Sequence, residues 1–149
     1  MDLGLKDKVA IITGGSDGIG KAAAISMITE GTKVAIVGRT QSKLDLAVAE
    51  IKKLTNGNVI GISADVSVEA DVQSMVNKVI SEFGQIDILV NNAGILIMKG
   101  LAETSESEWD LIQNINSKGV FLGSQSVIPE MVRNGSGSIV NISSVAGLI

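Results

Sequence analysis

The sequence has 149 residues, of which 45% are hydrophobic and 19% charged, so it is long and apolar enough to fold rather than remain disordered. With 12 Lys and Arg against 16 Asp and Glu, the net charge of −4 gives no electrostatic basis for binding nucleic acid or an anionic membrane. The composition contains neither Cys nor His, which excludes disulfides and thiolate catalysis, and we expect no metal site.

Targeting segments are not evident in the sequence. Charged residues interrupt the N-terminal stretch MDLGLKDKVA, which excludes the apolar core of a signal peptide. No run approaches the roughly 20 apolar residues that a membrane span needs. We therefore expect a soluble cytoplasmic protein.

Short β-branched runs alternate with amphipathic stretches in the first part of the chain. Strands are predicted from Val9 to Thr13, from Lys33 to Val37 and from Val59 to Ser63. Helices are predicted from Ile19 to Glu30 and from about Ser42 to the Asn56-Gly57 turn. This alternation is typical of βαβ units and a parallel sheet.

The next helix has the clearest amphipathic pattern. Ser67 is predicted to be its N-cap, its apolar residues between Val72 and Phe83 recur at helical spacing, and Gly84 ends it. A fourth strand is predicted from Ile86 to Val90.

A long helix and a last strand complete the pattern. Ser105 and Glu108 form a predicted capping box at the start of the helix, and Pro129 is expected to bend its last turns. Asn134-Gly135 ends the helix, and a fifth strand is predicted from Ser138 to Ile142.

These elements predict a Rossmann-like, doubly wound α/β fold. Right-handed crossovers give about five parallel strands in the order 3-2-1-4-5, with helices on both faces. Since no repeat or low-complexity linker interrupts residues 1–149, we expect a single domain. A ligand crevice is predicted where strands one and four end.

A glycine-rich turn, TGGSDGIG from Thr13 to Gly20, joins the first strand to the first helix. Gly14, Gly18 and Gly20 allow close backbone approach, and the helix N-terminus offers free N–H groups to a dinucleotide diphosphate. A tight βα connection without a ligand is the alternative interpretation.

With this turn, the chain resembles the short-chain dehydrogenase/reductase family over essentially all of its length. TGGSDGIG matches the family's TGxxxGIG coenzyme turn, and Asn91-Asn92-Ala93-Gly94 matches its NNAG motif after strand four. Asn116 in NINSKG matches the active-site Asn, and the stretch from Ser138 to Gly147 matches the strand that carries the active-site Ser. The resemblance implies an NAD(P)-dependent oxidoreductase that interconverts small-molecule carbonyls and alcohols.

The resemblance assigns coenzyme contacts to the turn, namely to Gly14, Ser16, Asp17, Gly18, Ile19 and Gly20. After strand two, where NAD-preferring members carry an acidic residue, this chain has Gly38 and Arg39. The Arg39 guanidinium can pair with a 2′-phosphate, so NADP is favoured, with NAD as the alternative. Asp17 argues against NADP, because NADP-using relatives often carry a basic residue there, and a solvated Arg39 remains open.

Two further segments are expected to contact the coenzyme. Asp65-Val66 resembles the pair that meets the adenine, although Asp65 is also a candidate helix cap near Ser67. Asn92, Ala93 and Gly94 are expected to line the ribose, with Asn91 joining neighbouring strands and a plain polar turn as the alternative.

For catalysis, the resemblance indicates Ser144, with Ser143 as the second candidate, as the hydroxyl that binds the substrate's carbonyl oxygen. Asn116 is expected to hold a water in a proton relay. Each is otherwise a polar residue near the end of an element.

The family's proton donor is a Tyr in a YxxxK arrangement about a dozen residues beyond the Ser. This chain contains no Tyr, and neither Lys99 nor Lys118 can substitute. We therefore expect a C-terminally incomplete, truncated family member with little or no activity. Its fifth strand would be an open edge, which favours marginal stability or a homo-oligomer. The alternatives are a catalytically silent dinucleotide-binding module and a non-functional truncation product. The substrate cannot be inferred from these residues.

Overall fold

Strands and helices alternate along residues 1–147, the part of the chain that the computed structural model describes. The strands are Val9–Thr13 (β1), Lys33–Gly38 (β2), Val59–Ser63 (β3), Ile88–Asn91 (β4) and Ser138–Asn141 (β5). The helices are Gly18–Thr29 (α1), Gln41–Thr55 (α2), Glu69–Phe83 (α3), Glu106–Gln113 (α4) and Gly119–Asn134 (α5). All strand pairs are parallel and the order is β3-β2-β1-β4-β5, which confirms the predicted fold class and topology.

The central strand β1 is buried on both faces. Val9 and Ile11 pack into a core with α3 and α5, while Ala10 and Ile12 pack into a second core with α1 and α2. This alternation follows the two-residue period of a strand, and it places helices on both faces of the sheet as predicted. The carboxyl end of β1, where the glycine turn begins, is therefore held by packing from both sides.

The ends of α1 and α2 follow from short-range chemistry. Asp17 is the N-cap of α1, and its Oδ1 accepts the N–H of Gly18 at 2.8 Å. Gly31, with φ of +87°, follows α1. Asn56 adopts a left-handed conformation after α2, with φ of +53°, which confirms the predicted turn.

The predicted N-cap of α3 was wrong. Val68 occupies the cap position and provides no side-chain hydrogen bond, while the Ser67 hydroxyl donates to Asp65 Oδ1 at 2.6 Å. A hydrogen bond from the Ser67 hydroxyl to an ionised carboxylate is stronger than the one it would accept from a backbone N–H of the helix. Ser67 therefore closes a turn before the helix and does not cap it. Asp65 takes part in the same turn, accepting the Ser67 N–H at 2.9 Å, and does not cap the helix.

Strand β4 also starts later than the predicted Ile86. The side chain of Asp87 lies at the start of β1, where its Oδ2 accepts the Val9 N–H at 2.8 Å and its Oδ1 lies 3.3 Å from Lys8 Nζ. This buried carboxylate accepts the Val9 N–H in place of a backbone carbonyl of β4, so regular strand pairing starts after Asp87.

The predicted single long helix is divided. A π-helical segment, Asn114–Lys118, joins α4 to α5. The capping box of Ser105 and Glu108 is confirmed at the start of α4. Pro129 lies inside α5, and Gly135, with φ of +74°, ends the helix as predicted.

Within the described residues, β5 lies at the edge of the sheet. Val140 and Ile142 on this edge are 45% and 41% exposed, and Phe121 and Val132 on α5 are 58% and 74% exposed. The last strand therefore leaves apolar surface in water. No helix in residues 1–147 is long and apolar enough to cross a bilayer.

Candidate functional site

The glycine turn lies against the end of β4. A Cβ atom at Gly20 would lie 2.4 Å from the carbonyl oxygen of Gly14 and 2.5 Å from Nδ2 of Asn92, so only glycine fits this position. Gly14 and Gly18 have φ of +64° and +51°, which a side chain would disfavour. At Gly14, Gly18 and Gly20 the turn therefore presents backbone without a side chain.

Thr13 fixes the turn to the segment that follows β4. Its buried hydroxyl accepts the N–H groups of Asn92 and Ala93, each at 3.0 Å, and donates to the carbonyl of Val90 at 3.4 Å. In return, Asn92 Nδ2 donates to the carbonyls of Thr13 at 3.0 Å and Gly14 at 3.1 Å. Two segments about 79 positions apart in sequence thus form one rigid unit.

A first cavity of about 160 Å³ opens beside this unit, at the carboxyl ends of the strands. It brings together most of the residues assigned to the adenosine side of the coenzyme. Its lining consists of Gly14, Arg39, Asp65, Val66, Ala93, Gly94, Ile95 and Ile115.

The charged pair in this cavity has a defined electrostatic environment. The hydrogen bond from the Ser67 hydroxyl lowers the pKa of Asp65 most strongly, and partial burial opposes this effect. The Ser67 N–H and the positive charge of Arg39 lower the pKa of Asp65 further. Among residues 1–147, the hydrogen bonds to this carboxylate use Oδ1 only, so Oδ2 is free to accept from a ligand.

A second cavity of about 470 Å³ adjoins the first, because both are lined by Ala93, Gly94 and Ile95. It brings together the residues assigned to catalysis. The remaining lining residues are Ile19, Asn91, Asn92, Leu96, Asn116, Val120, Ile142, Ser143 and Ser144. The two cavities form one groove across the ends of β1, β4 and β5.

Both serine candidates reach this second cavity. Ser144 accepts the N–H of Ala146 through its Oγ at 3.2 Å, and Ser143 lies beside it in the lining. The structure therefore leaves both hydroxyls available at the same end of the groove.

Asn116 lines the second cavity and is hydrogen-bonded to the loop after β4. Its Nδ2 donates to the carbonyl of Ile95 at 2.8 Å, and its Oδ1 accepts the Ile95 N–H at 2.9 Å. The side chain thus binds a backbone segment that lines both cavities.

The remaining turn residues lie beside the cavities rather than in their linings. Ser16, Asp17, Gly18 and Gly20 belong to this group, whereas Ile19 lines the second cavity. Ser16 lies next to the end of β2, since its Oγ is 3.7 Å from the position of a Cβ at Gly38. Asn91 is buried and joins strands as predicted, its Nδ2 donating to Asn141 Oδ1 at 2.9 Å.

Sequence reasoning missed several residues that shape the groove. Thr13 begins the turn, and its position at the end of a buried strand could have indicated its role, because a buried hydroxyl needs partners. Gly119 and Gly123 lie one turn apart on α5, where a Cβ would come within 2.8 Å of Val66 Cγ2 and 2.9 Å of Asn91 Oδ1. Glycines inside a helix are unfavourable, and that signal could have indicated close packing here.

The profile of the short chain dehydrogenase family matches residues 8–149. A 3-oxoacyl-[acyl-carrier-protein] reductase of Thermotoga maritima is 40% identical over 144 residues, which cover 97% of this chain and 58% of the reductase. Subunit BbsD of a (2S)-[(R)-hydroxy(phenyl)methyl]succinyl-CoA dehydrogenase from Thauera aromatica is 41% identical over 146 residues, covering 98% of this chain and 58% of that protein.

The solved structures that are similar to this chain are also reductases and dehydrogenases. Levodione reductase is 37% identical with a TM-score of 0.92, the match covering 97% of this chain and 57% of that one. NAD+-bound xylitol dehydrogenase is 30% identical, also with a TM-score of 0.92, covering 97% and 55%. The chain spans between 55% and 61% of the length of eight of the most similar curated relatives.

Proposed function

Because the chain belongs to the short chain dehydrogenase family, we propose that it forms the coenzyme-binding part of an NADP(H)-dependent oxidoreductase acting on carbonyls and alcohols. The observation that carries this proposal is the groove at the ends of β1 and β4. There the glycine turn is bonded through Thr13 and Asn92 to the segment that separates the two cavities. A doubly wound sheet binds its ligand where the strand order reverses, which is the position of this groove.

The diphosphate of the coenzyme would lie against the turn and the N-terminus of α1. Gly14 and Gly18 place no side chain between the backbone of the turn and a ligand. Ser16 and Ile19 flank it, and the first N–H groups of α1 would donate to the phosphate oxygens. Asp17 competes here, because its carboxylate holds the Gly18 N–H at 2.8 Å.

The adenosine end would lie in the first cavity. Asp65 Oδ2 would accept from the exocyclic amine of adenine, with Val66 beside it. Arg39 shares this cavity, and a planar guanidinium is suited to a 2′-phosphate. The preference for NADP over NAD rests on Arg39 and on the lack of an acidic side chain at Gly38, where a carboxylate would repel the phosphate.

The reacting end would lie in the second cavity. When bound there, the coenzyme supplies or accepts a hydride at its nicotinamide. Asn92, Ala93 and Gly94 would contact the nearby ribose. Ser144 would donate its hydroxyl hydrogen to the substrate's carbonyl oxygen and hold it in place. Asn116 would keep this wall of the cavity in position through Ile95.

We propose further that the 149-residue polypeptide by itself binds the coenzyme without turnover. Transfer of a proton to the carbonyl oxygen needs an acid, and the sequence contains no Tyr. Lys99 is held by Glu108, its Nζ lying 2.5 Å from Oε1, and neither Lys99 nor Lys118 lines the groove. In this state the chain would act as a dinucleotide-binding module.

Titration of the chain with NADPH and with NADH, followed by coenzyme fluorescence, tests the proposal. We expect NADPH to bind at least about tenfold more tightly than NADH, because only NADPH offers the phosphate to Arg39. Gly18→Asp should abolish measurable binding. Gly84→Asp is the matched control, since both glycines have positive φ and no atom within 4 Å of a Cβ. A folded chain that binds neither coenzyme, or equal binding by both variants, would contradict the proposal.

A further inference from the structure

A third cavity, of about 370 Å³, lies between α3 and α5, and its described lining residues all belong to these two helices. Among the described residues, its lining has no member in common with either cavity of the groove. Its charged lining residues are Glu69 on α3 and Glu130 and Arg133 on α5, so carboxylates outnumber cations there. The proposed coenzyme role gives this cavity no occupant.

Glu130 contributes a buried carboxylate with an unsatisfied oxygen. The residue is 5% exposed, and within residues 1–147 its Oε2 is buried without a hydrogen-bond partner. Nη1 of Arg133 lies 2.8 Å from this oxygen, but the contact is an ion pair along one helix without the geometry of a hydrogen bond. Because a buried carboxylate needs hydrogen-bond donors as well as a counter-charge, Glu130 can take a further donor from a ligand.

Other polar side chains of the third cavity offer acceptors. Gln73 uses its Nε2 to donate to Asn77 Oδ1 at 3.3 Å, which leaves its Oε1 without a partner in the described part of the chain. Ser126 donates its hydroxyl hydrogen to the carbonyl of Leu122 at 2.6 Å, so its Oγ can only accept from a ligand. Glu69 adds a second carboxylate at the start of α3. A ligand that carries several N–H groups would satisfy acceptors on both helices.

We propose that the third cavity binds an alkylguanidinium ion between the carboxylates of Glu130 and Glu69. A guanidinium presents five N–H donors in a fixed plane and is weakly hydrated, which suits acceptors on two neighbouring helices better than the three donors of an ammonium. Its alkyl stem would pack on the apolar lining residues Val76, Ile80 and Pro129. A metal ion suits the cavity less, because residues 1–147 contain no group of three or more His, Cys, Asp or Glu side chains that could hold one.

The experiment compares N-butylguanidinium with N-butylurea, which has nearly the same shape and no charge. Binding to the chain is followed at neutral pH and low salt through the backbone amide signals in NMR. We expect butylguanidinium to shift signals of α3 and α5 around the cavity, and butylurea to bind at least about tenfold more weakly. A blocked Gly-Arg-Gly peptide is the second arm. The same shifts with the peptide would support recognition of an arginine side chain, and shifts with the free ion alone would support a small guanidine.

Two pairs of variants test the assigned carboxylate. Glu130→Gln keeps the shape and removes the charge, so we expect butylguanidinium to bind about tenfold more weakly. Glu82→Gln is its control, since Glu82 is exposed on α3 and outside the described lining. Arg133→Gln removes the competing cation and should strengthen binding about threefold, with Lys78→Gln, also exposed on α3, as its control. A carboxylate that serves only to pair with Arg133 predicts no such gain.

Equal binding of the two small probes, or shifts confined to other parts of the chain, would overturn the inference. Equal responses of Glu130→Gln and Glu82→Gln, or of Arg133→Gln and Lys78→Gln, would also overturn it, because they would reflect net charge alone. If urea unfolding shows that Glu130→Gln does not fold, the pair at the exposed Arg133 still decides. NADPH affinity should be the same in all four variants, so this inference and the proposed function fail separately.

Discussion

The side-chain amide of Asn116 binds the backbone of Ile95 at both ends, through hydrogen bonds of 2.8 and 2.9 Å. The π-helical segment that contains Asn116 thereby holds the loop after β4, and Ile95 lines both cavities of the groove. Asn116 therefore supports the wall of the site, and its expected part in a proton relay stays a prediction.

Replacing Asn116 with alanine should free the Ile95 segment. Since two hydrogen bonds of about 1 kcal/mol each are lost, we expect the Ile95 amide hydrogen to exchange about 30-fold faster. Hydrogen exchange followed by NMR measures this directly. Asn114→Ala is the control, because Asn114 is exposed in the same segment and its side chain has no hydrogen bond among the described residues. Unchanged exchange at Ile95 would contradict the assigned role.

Much of the fold followed from local pattern because the sheet is parallel. Its strands are buried on both faces and read as short β-branched runs, and each glycine or asparagine turn marks a helix end. Strand order followed from the handedness of crossovers. The N-cap of α3 and the π-helical break did not follow, because each depends on a competing contact, that of Ser67 with Asp65 and that of Asn116 with Ile95.

Removal of the Thr13 hydroxyl should cost both stability and coenzyme affinity. Thr13→Val keeps the shape but leaves the N–H groups of Asn92 and Ala93 without their acceptor, so we expect a loss of about 3 kcal/mol in the free energy of unfolding. Urea unfolding measures it. Thr13→Ser retains the hydroxyl and should recover most of the loss. If Thr13→Val were as stable as the wild type, the hydrogen bonds of the hydroxyl would not contribute the stability assigned to them.

The choice between NADP and NAD should depend on the end of β2. Arg39→Ala should weaken NADPH binding about 10- to 100-fold and leave NADH unchanged. Gly38→Asp should weaken the binding of NADPH, because a carboxylate repels the 2′-phosphate, and strengthen the binding of NADH. The fold should tolerate this change, because a Cβ there would lie 3.6 Å from Leu44 Cδ2, an ordinary contact. Gly38→Asn is the uncharged control. Parallel loss of both coenzymes in Arg39→Ala would indicate a structural role for the arginine.

Asp17 should reduce coenzyme affinity through its charge. Asp17→Asn preserves the cap of α1, since Asn and Asp are equivalent N-caps, and removes a negative charge from the expected diphosphate position. We expect NADPH to bind about threefold to tenfold more tightly, with unfolding unchanged, because an anion is stabilised at a helix N-terminus. Glu30→Gln, beyond the other end of α1, is the control for net charge. Equal or weaker binding by Asp17→Asn would show that the diphosphate does not approach this carboxylate.

The lowered pKa of Asp65 predicts a pH-dependent contribution to stability. Its carboxylate stabilises the folded chain above the unfolded-state value of about pH 4, and this contribution is lost as pH falls through the lower folded value. Asp65→Asn should therefore be less stable than the wild type at neutral pH, with the difference shrinking below about pH 4. Urea unfolding over a pH series measures it.

The cause of the shift can be tested in the same chain. Ser67→Ala removes the hydroxyl that lowers the pKa of Asp65 most, so the pKa observed by NMR titration should rise toward its ordinary value. If the pKa of Asp65 did not move in Ser67→Ala, the Ser67 N–H and the charge of Arg39 would be the causes of the lowered value.

The site was predictable where it rests on local sequence and not where it rests on contacts between distant segments. The glycine turn, Asp65 and the segment Asn92–Gly94 could be placed at the cavities from the sequence, because each follows a strand within two residues. The support from Thr13, and the close approach of Gly119 to Val66, depend on which strands become neighbours.

The hydrogen bond from the Asn92 N–H to the Thr13 hydroxyl joins residues 79 positions apart, at the ends of the paired strands β1 and β4. The groove therefore forms only after β1 has paired with β4. Such long-range closure is slow compared with the growth of helices. Coenzyme added during refolding would then stabilise only molecules that have completed this late step, since a ligand stabilises only the species it binds. The rate at which refolding chains acquire coenzyme fluorescence should report when the two halves of the sheet meet.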